Sequence, residues 1–500
     1  MPADRRIACA LLAILIGCSR GVDGPAIPPP TTVLVRDGGS VLRAPVHPAV
    51  GCPAASPRSS WGPGTLHGAT VSGRERWSRE GSPHRIPNGV HVIAGATLHV
   101  EPCAVVLVGP AQEIVVQDDA RLDAIGSREA PLLFDSAEDR PAPGDWVGIE
   151  IRARALPGTR FARATVRNAG APPSRRGDPA AAIRSRASAG LDFEALSVEK
   201  SAGWGVAALG ESGFARSASD LRVAGAEGPG AVYIDDVDQV RTLPTVQFAA
   251  NAVNDVFVAA HLRTLRSDGT WRALGANARY RIRKSSRIMV EGPDAPRLVI
   301  APGATLAFEE DAELDVGWSA PGALFADGGD DARRVVFTSA EGPEGPARWV
   351  GVLFGERTDT ARSALRYTRI EGAGARATGD FVTCQSPDGA RLEPSGMVFF
   401  QGVRAAGLVT QTEFRRGPRE GVAIFVAGDS TVTAEDFTAS SRGNIFVHAG
   451  VRCAQSTAPT NGRCPPTPRC DGGNSRTSTA AEAAEGDAGA PATSASARQR

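Results

Sequence analysis

The sequence predicts an all-β fold, a parallel β-helix written twice, and three observations predict it. Short apolar runs such as "IVV", "LLF", "VGIEI", "ATV", "AAI" and "LSV" recur along the chain, split by Gly, Asp, Pro or Asn. Sustained helical periodicity is lacking, and 57 glycines with 37 prolines punctuate the 500 residues too often for long helices. The same succession of motifs then appears a second time. Strands of a few residues between polar turns fit an all-β chain. A sandwich would want longer strands with cleaner alternation, whereas a β-helix stacks short strands with small aliphatic side chains inside.

The duplication is read motif by motif. "TLHVEPCAVVLV" (Thr97 to Val108) matches "RLVIAPGATLAF" (Arg297 to Phe308), and "PLLFDSAED" (Pro131 to Asp139) matches "RVVFTSAEG" (Arg334 to Gly342). "GDWVGIEI" answers "RWVGVLF", with Trp146 and Trp349 at the shared position. "TRFARATVRNAGA" then aligns with "SALRYTRIEGAGA", "GWGVAAL" with "REGVAIF", and "GAVYI" with "GNIFV". Spacings drift as loop insertions would make them drift, while the order never changes.

The ends carry an address. Arg5 and Arg6 precede the apolar run "IACALLAILIG", which is too short to span a bilayer as a helix and closes on "LIGC", Leu15 to Cys18. This resembles a bacterial lipobox, and the resemblance implies cleavage before Cys18 and lipidation of its thiol. Residues 1–17 are then a lipoprotein signal peptide, 18–60 a Pro/Gly-rich spacer around "PAIPPPTT", and 455–500 a disordered low-complexity tail. The repeat units between them are set at 61–262 and 263–454. Ser19 after the cysteine points to the outer membrane. With 55 basic and 55 acidic residues the formal charge is zero, which removes the electrostatic case for a nucleic-acid partner.

Six thiols remain once Cys9 is cleaved away and Cys18 is lipidated: Cys52, Cys103, Cys384, Cys453, Cys464 and Cys470. An even number outside the cytoplasm suggests disulfides. We expect Cys464 with Cys470 across "CPPTPRC", Cys52 with Cys103, and Cys384 with Cys453. No CxxC and no histidine at ligand spacing supports zinc in their place.

Residues 85 to 450 resemble the bacterial right-handed parallel β-helix, pectin-lyase-like surface proteins. Leu98, Glu101, Pro102, Leu122, Ala124, Gly126, Pro131, Phe134, Ser136, Gly144, Asp145, Trp146, Gly148 and Ile149 carry the first match. Leu298, Pro302, Gly303, Phe337, Thr338, Ser339, Trp349 and Gly351 carry the second. Cys103 departs from the pattern, standing where it has glycine. The resemblance implies a fold that serves lyases, hydrolases, adhesins and spacers alike, so activity must be argued from sites.

Four constellations are candidates for chemistry. Trp146 and Trp349 could stack on sugar rings, or serve as structural tryptophans at coil corners. Asp327, Asp330 and Asp331 in "DGGDD" are the best calcium candidates among several acidic turns (Asp118-Asp119, Asp235-Asp236 with Asp238, and Glu309-Glu310-Asp311), which otherwise read as solvated. Asp235-Asp236 and "RIRK" (Arg281 to Lys284) echo a polygalacturonase set on this fold, but its Gly-His-Gly is lacking. "GDS" at Gly428 lacks a partner histidine, and His84, His91 and His99 read as surface residues. The expectation is a lipid-anchored envelope protein, non-enzymatic, binding a polysaccharide or surface protein or serving as a structural element. The alternative is a lyase or hydrolase of uronic-acid polymers.

Overall fold

The computed structural model describes residue 52 and residues 58–342, 348–375, 382–385, 389, 391–392, 396–404, 407–417, 424–428 and 452–455. The expected signal peptide, Cys18, Cys464, Cys470 and residues 456–500 of the expected tail lie outside the described residues. Within them the chain is nearly all β, with two short 3₁₀ segments at Arg58–Ser60 and Val237–Thr242. Almost every strand pairing is parallel, and the pairing partners are not consecutive in sequence. Thr97–Val100 pairs with Arg121–Ile125, Val105–Val108 with Leu132–Ser136, and Glu113–Val116 with Gly148–Ile151. These strands each meet the one three places on, so the chain winds in coils of three strands; from Ala181–Ser185 to Val256–Leu262 the step shortens to two.

Stacking in register sends one side-chain row inward. Leu98 sits beside Leu122, Ile114 beside Ile149 and Ile183, and Val206 beside Val232 and Val256, all of them buried. One contiguous core runs from Val71 to Val426. Aliphatic residues fill most of it, with buried rings such as Phe134, Phe161, Phe308 and Phe337 among them.

Coils turn without a helix because single residues take the left-handed conformation. Arg163 (φ 47), Ala195 (φ 52) and Asp220 (φ 56) bend the first copy, and Tyr367 (φ 47) and Gln411 (φ 51) bend the second. Around 192–199 two faces merge: the single strand Asp192–Glu199 pairs with both Arg160–Ala162 and Ala164–Arg167.

The copies share one sheet but not one orientation. A 13-stranded sheet crosses the expected 262/263 boundary, where Val256–Leu262 pairs with Tyr280–Ile282. In the first copy this sheet contains Glu113–Val116 and Gly148–Ile151. In the second it contains Thr305–Phe308 and Val335–Ser339, the counterparts of Val105–Val108 and Leu132–Ser136, which belong to a different first-copy sheet. The counterparts of Glu113–Val116 and Gly148–Ile151, namely Glu313–Val316 and Gly351–Phe354, lie in a separate six-stranded sheet. The second copy is thus stepped one face around the coil axis. The junction is fastened by Asp238, which accepts from the backbone N of Arg266 (3.1 Å) and Ser267 (3.2 Å), while Asp236 pairs with Arg266.

The start of the described chain is strapped to the outside of the first copy. Cys52 and Cys103 form a disulfide, Cα atoms 5.2 Å apart. Arg58 bonds to the carbonyls of Ser136 and Glu138, and Trp61 packs on Val105, Leu107 and Leu133. Cys103 holds φ 69, and its second-copy counterpart Gly303 holds φ 78. The departure from glycine thus keeps glycine's backbone conformation. Backbone register also sets Cys384 directly across an antiparallel pair from Cys453.

Candidate functional site

The Trp-Val-Gly motifs are structural. Trp146 and Trp349 are each 0% exposed, so neither presents a face to a sugar, which corrects the stacking expectation. Each indole donates to a carbonyl of the next coil, Trp146 Nε1 to Arg167 O (2.9 Å) and Trp349 Nε1 to Glu371 O (3.0 Å). The glycine two residues on is forced by proximity. A Cβ on Gly148 would lie 2.5 Å from the carbonyl oxygen of Ala182, and one on Gly351 would lie 2.7 Å from that of Met397.

The calcium expectation is also corrected. Asp327 is taken by Arg366 and by the Gly329 amide (2.8 Å). Asp330 accepts from the amides of Ala332 and Arg333, both at 3.0 Å, and pairs with the Arg333 side chain, while Asp331 pairs with Arg334. The carboxylates turn to separate cations, and among the described residues no group of three or more His, Cys, Asp or Glu is arranged to hold a metal ion.

The fragments that echo a hydrolase are dispersed in the same way. Asp236 caps the 3₁₀ segment and pairs with Arg266. Arg281 pairs with Glu309 at 2.6 Å and Lys284 with Glu310. Asp235 reaches His261 at 3.9 Å, with Arg283 bonded to that ring at 3.0 Å. Gly428 follows the strand Ile424–Ala427, and the rest of "GDS" lies outside the described residues.

His84 is not a surface residue but is 2% exposed. It bonds to His67 at 2.9 Å and to the Ser78 carbonyl at 2.7 Å, and its ring lies parallel to Trp77. Burial holds its pKa below the usual histidine range. His99 meets Asp123 at 3.1 Å, and His91 lies 3.4 Å from Gln117. On the second copy Asp315 is wholly buried, and burial pushes its pKa up to about 8 despite its pairing with Arg287. Tyr233 and Phe257 stack outward at 5.7 Å, but Trp204 closes one end of the row and the Arg281 guanidinium the other, so their faces are already occupied.

Among the described residues, the bend of the first copy offers room for a ligand. A cleft of about 370 Å³ runs along it. The 126–131 loop supplies Arg128 and Pro131 at one end. Successive coils then supply Arg163 and Ala164, Ala195 with Ser197 and Glu199, Asp220 with Arg222, and finally Gln247. From the strand at Ala164 to the strand at Val246 there are three interstrand steps, about 14 Å. The floor is apolar and the walls carry paired ions, Arg163 with Glu194 at 2.6 Å and Arg222 with Glu199 at 2.8 Å. Such a surface offers donors, acceptors and apolar contact along one line, which suits an extended ligand.

Sequence reasoning missed this cleft because its makers are non-glycine residues in the left-handed conformation, which carry no mark in the sequence. The positional signal was the repeat of "ARAT" and "RYTR" at corresponding sites. Comparison with family models, curated proteins and solved structures found no match to the chain.

Proposed function

We propose that this chain is a right-handed parallel β-helix held at the cell envelope by a lipid on Cys18, and that it is a non-enzymatic binding protein. Its ligand lies along the first-copy bend, and the ligand is an extended chain, a polysaccharide or a polypeptide. The observation that carries this reading is the 370 Å³ cleft crossing successive coils. Two of its arginines are bound to carboxylates, Arg163 to Glu194 and Arg222 to Glu199, which suits a recognition surface. Glycoside hydrolysis asks for two carboxylates facing one bond, and in the cleft Glu199 is engaged with Arg222. The lipid anchor rests on the "LIGC" ending after a charged start and a short apolar core.

Two experiments test the reading together. Cys18→Ala is expected to move the protein from the membrane to the soluble fraction and to abolish lipid labelling. Retention of both chains in the membrane with no label on the wild type defeats the anchor. Ser19 to Arg500 is expected to bind without turnover when offered polysaccharides and extended peptides. Release of reducing ends or unsaturated products above a heat-killed control defeats the non-enzymatic assignment.

A further inference from the structure

Around the bend the two copies share a hydrogen-bonded frame but place different side chains in it. The Gly126 amide donates to Ala162 O at 2.8 Å, and the Gly328 amide to Arg366 O at 3.0 Å. The Leu132 amide donates to Arg163 O at 3.1 Å, and the Val335 amide to Tyr367 O at 3.2 Å. The left-handed residues correspond as well, Arg163 with Tyr367 and Ala195 with Gln411. Within that frame "PLLFDS" faces "RVVFTS", so Arg334 stands where the first copy has Pro131.

Arg334 fills the second bend. Its side chain is 9% exposed, and one guanidinium nitrogen donates to both Thr368 O (2.8 Å) and Gln411 O (2.6 Å), carbonyls of neighbouring coils. The other nitrogen pairs with Asp331. The first-copy counterparts of Thr368 and Gln411 are Ala164 and Ala195, and both line the open cleft together with Pro131. Proline has neither a side-chain donor nor the reach to fill it.

We propose that the first-copy bend is a receptor for an arginine side chain of an extended polypeptide, which sets its guanidinium against the Ala164 and Ala195 carbonyls as Arg334 does within the chain. Arg163 and Arg222 are committed to Glu194 and Glu199, which leaves Asp220 in the cleft to take the part of Asp331. A planar fork of donors matches two stacked carbonyls better than an ammonium does. This assignment rests on the binding reading above and narrows its ligand to a polypeptide.

The test titrates the full chain in detergent by calorimetry. The probes are a short blocked glycine peptide with one central arginine, its lysine and citrulline counterparts, and cellohexaose. The arginine peptide is expected to bind one per chain, with the others weaker by about tenfold or more. Pro131→Arg supplies the missing plug and is expected to abolish binding with unchanged melting temperature. Arg334→Ala opens the second bend and is expected to raise the stoichiometry to two. Equal binding of the arginine and citrulline peptides overturns the assignment, as does undiminished binding by Pro131→Arg or an unchanged stoichiometry in a folded Arg334→Ala. Binding of cellohexaose alone, blocked by Pro131→Arg, overturns the arginine assignment and leaves the binding reading standing. No binding by any probe overturns both.

Discussion

His67 Nε2 lies 2.9 Å from His84 Nδ1, and the partners at either end determine where the protons sit. The Ser78 carbonyl can only accept, so His84 donates to it from Nε2. His84 Nδ1 then accepts from His67. The Glu75 carboxylate accepts at one oxygen from Trp77 Nε1 (2.7 Å), and His67 Nδ1 lies 2.9 Å from that oxygen. A proton added to His84 Nδ1 would confront the N–H of His67.

Acid should therefore loosen the first coil. His84 has its folded pKa lowered below the unfolded value by burial, so the unfolded state binds more protons as pH falls through that value. Its neutral form costs nothing at pH 8, and stability is lost from about pH 6.5 downward, at about 1.4 kcal/mol per unit of pKa difference. Melting temperatures between pH 5 and 8 should fall on the acid side for the wild type and less so for His84→Gln. Parallel curves would remove His84 from the account.

Asp315 has the opposite sign. Its folded pKa, about 8, lies above the unfolded carboxylate value, so the folded state holds the extra proton. The contribution to stability is greatest in acid and is lost as pH rises from about 4 towards 8. Asp315→Asn should unfold at higher denaturant than wild type at pH 8, and the gap should close at pH 4. A destabilised Asn variant at pH 8 would mean that the Arg287 pairing outweighs burial.

The two tryptophans should behave as core residues. Trp146→Ala or Trp349→Ala should cost about 3–5 kcal/mol in urea unfolding. Loss of ligand binding by a folded variant at unchanged stability would restore them to a binding role.

Cys103 offers a backbone test. Under reducing conditions, where the bridge to Cys52 is absent, Cys103→Gly should be more stable than Cys103→Ala by about 1 kcal/mol, because φ 69 suits glycine. Equal stabilities would show that the bend relaxes. Peptide mapping of the oxidised chain should recover Cys52 linked to Cys103 and Cys384 linked to Cys453.

Much of this architecture was legible in the sequence. The rhythm of short apolar runs marks the strands, because inward positions such as Leu98, Leu122 and Ile149 need only local spacing to be seen. The Trp-Val-Gly repeat marks places where an indole is interred and the next backbone comes too close for a Cβ. The pairing of Cys52 with Cys103 was anticipated too. The site was harder to read. Clusters such as "DGGDD" and "RIRK" look chemical in one dimension, but their charges have partners, within the loop for Asp330 with Arg333 and Asp331 with Arg334, and some 25 to 40 residues away across the coils for Asp327 with Arg366 or Arg281 with Glu309. The cleft arises from left-handed Arg163, Ala195 and Asp220, which no composition or period announces.

The step of one face between the copies has a consequence for valency. The open bend of the first copy lies within the 12-stranded sheet, and the Arg334-filled bend of the second lies between the five-stranded and the 13-stranded sheets. If both were open, their ligands would approach from different compass points around the axis. One long partner could not easily lie in both, so two partners would be brought together instead. On the proposed arginine-receptor reading, Arg334 keeps the chain a one-handed receptor; without it, the chain would be a crosslinker.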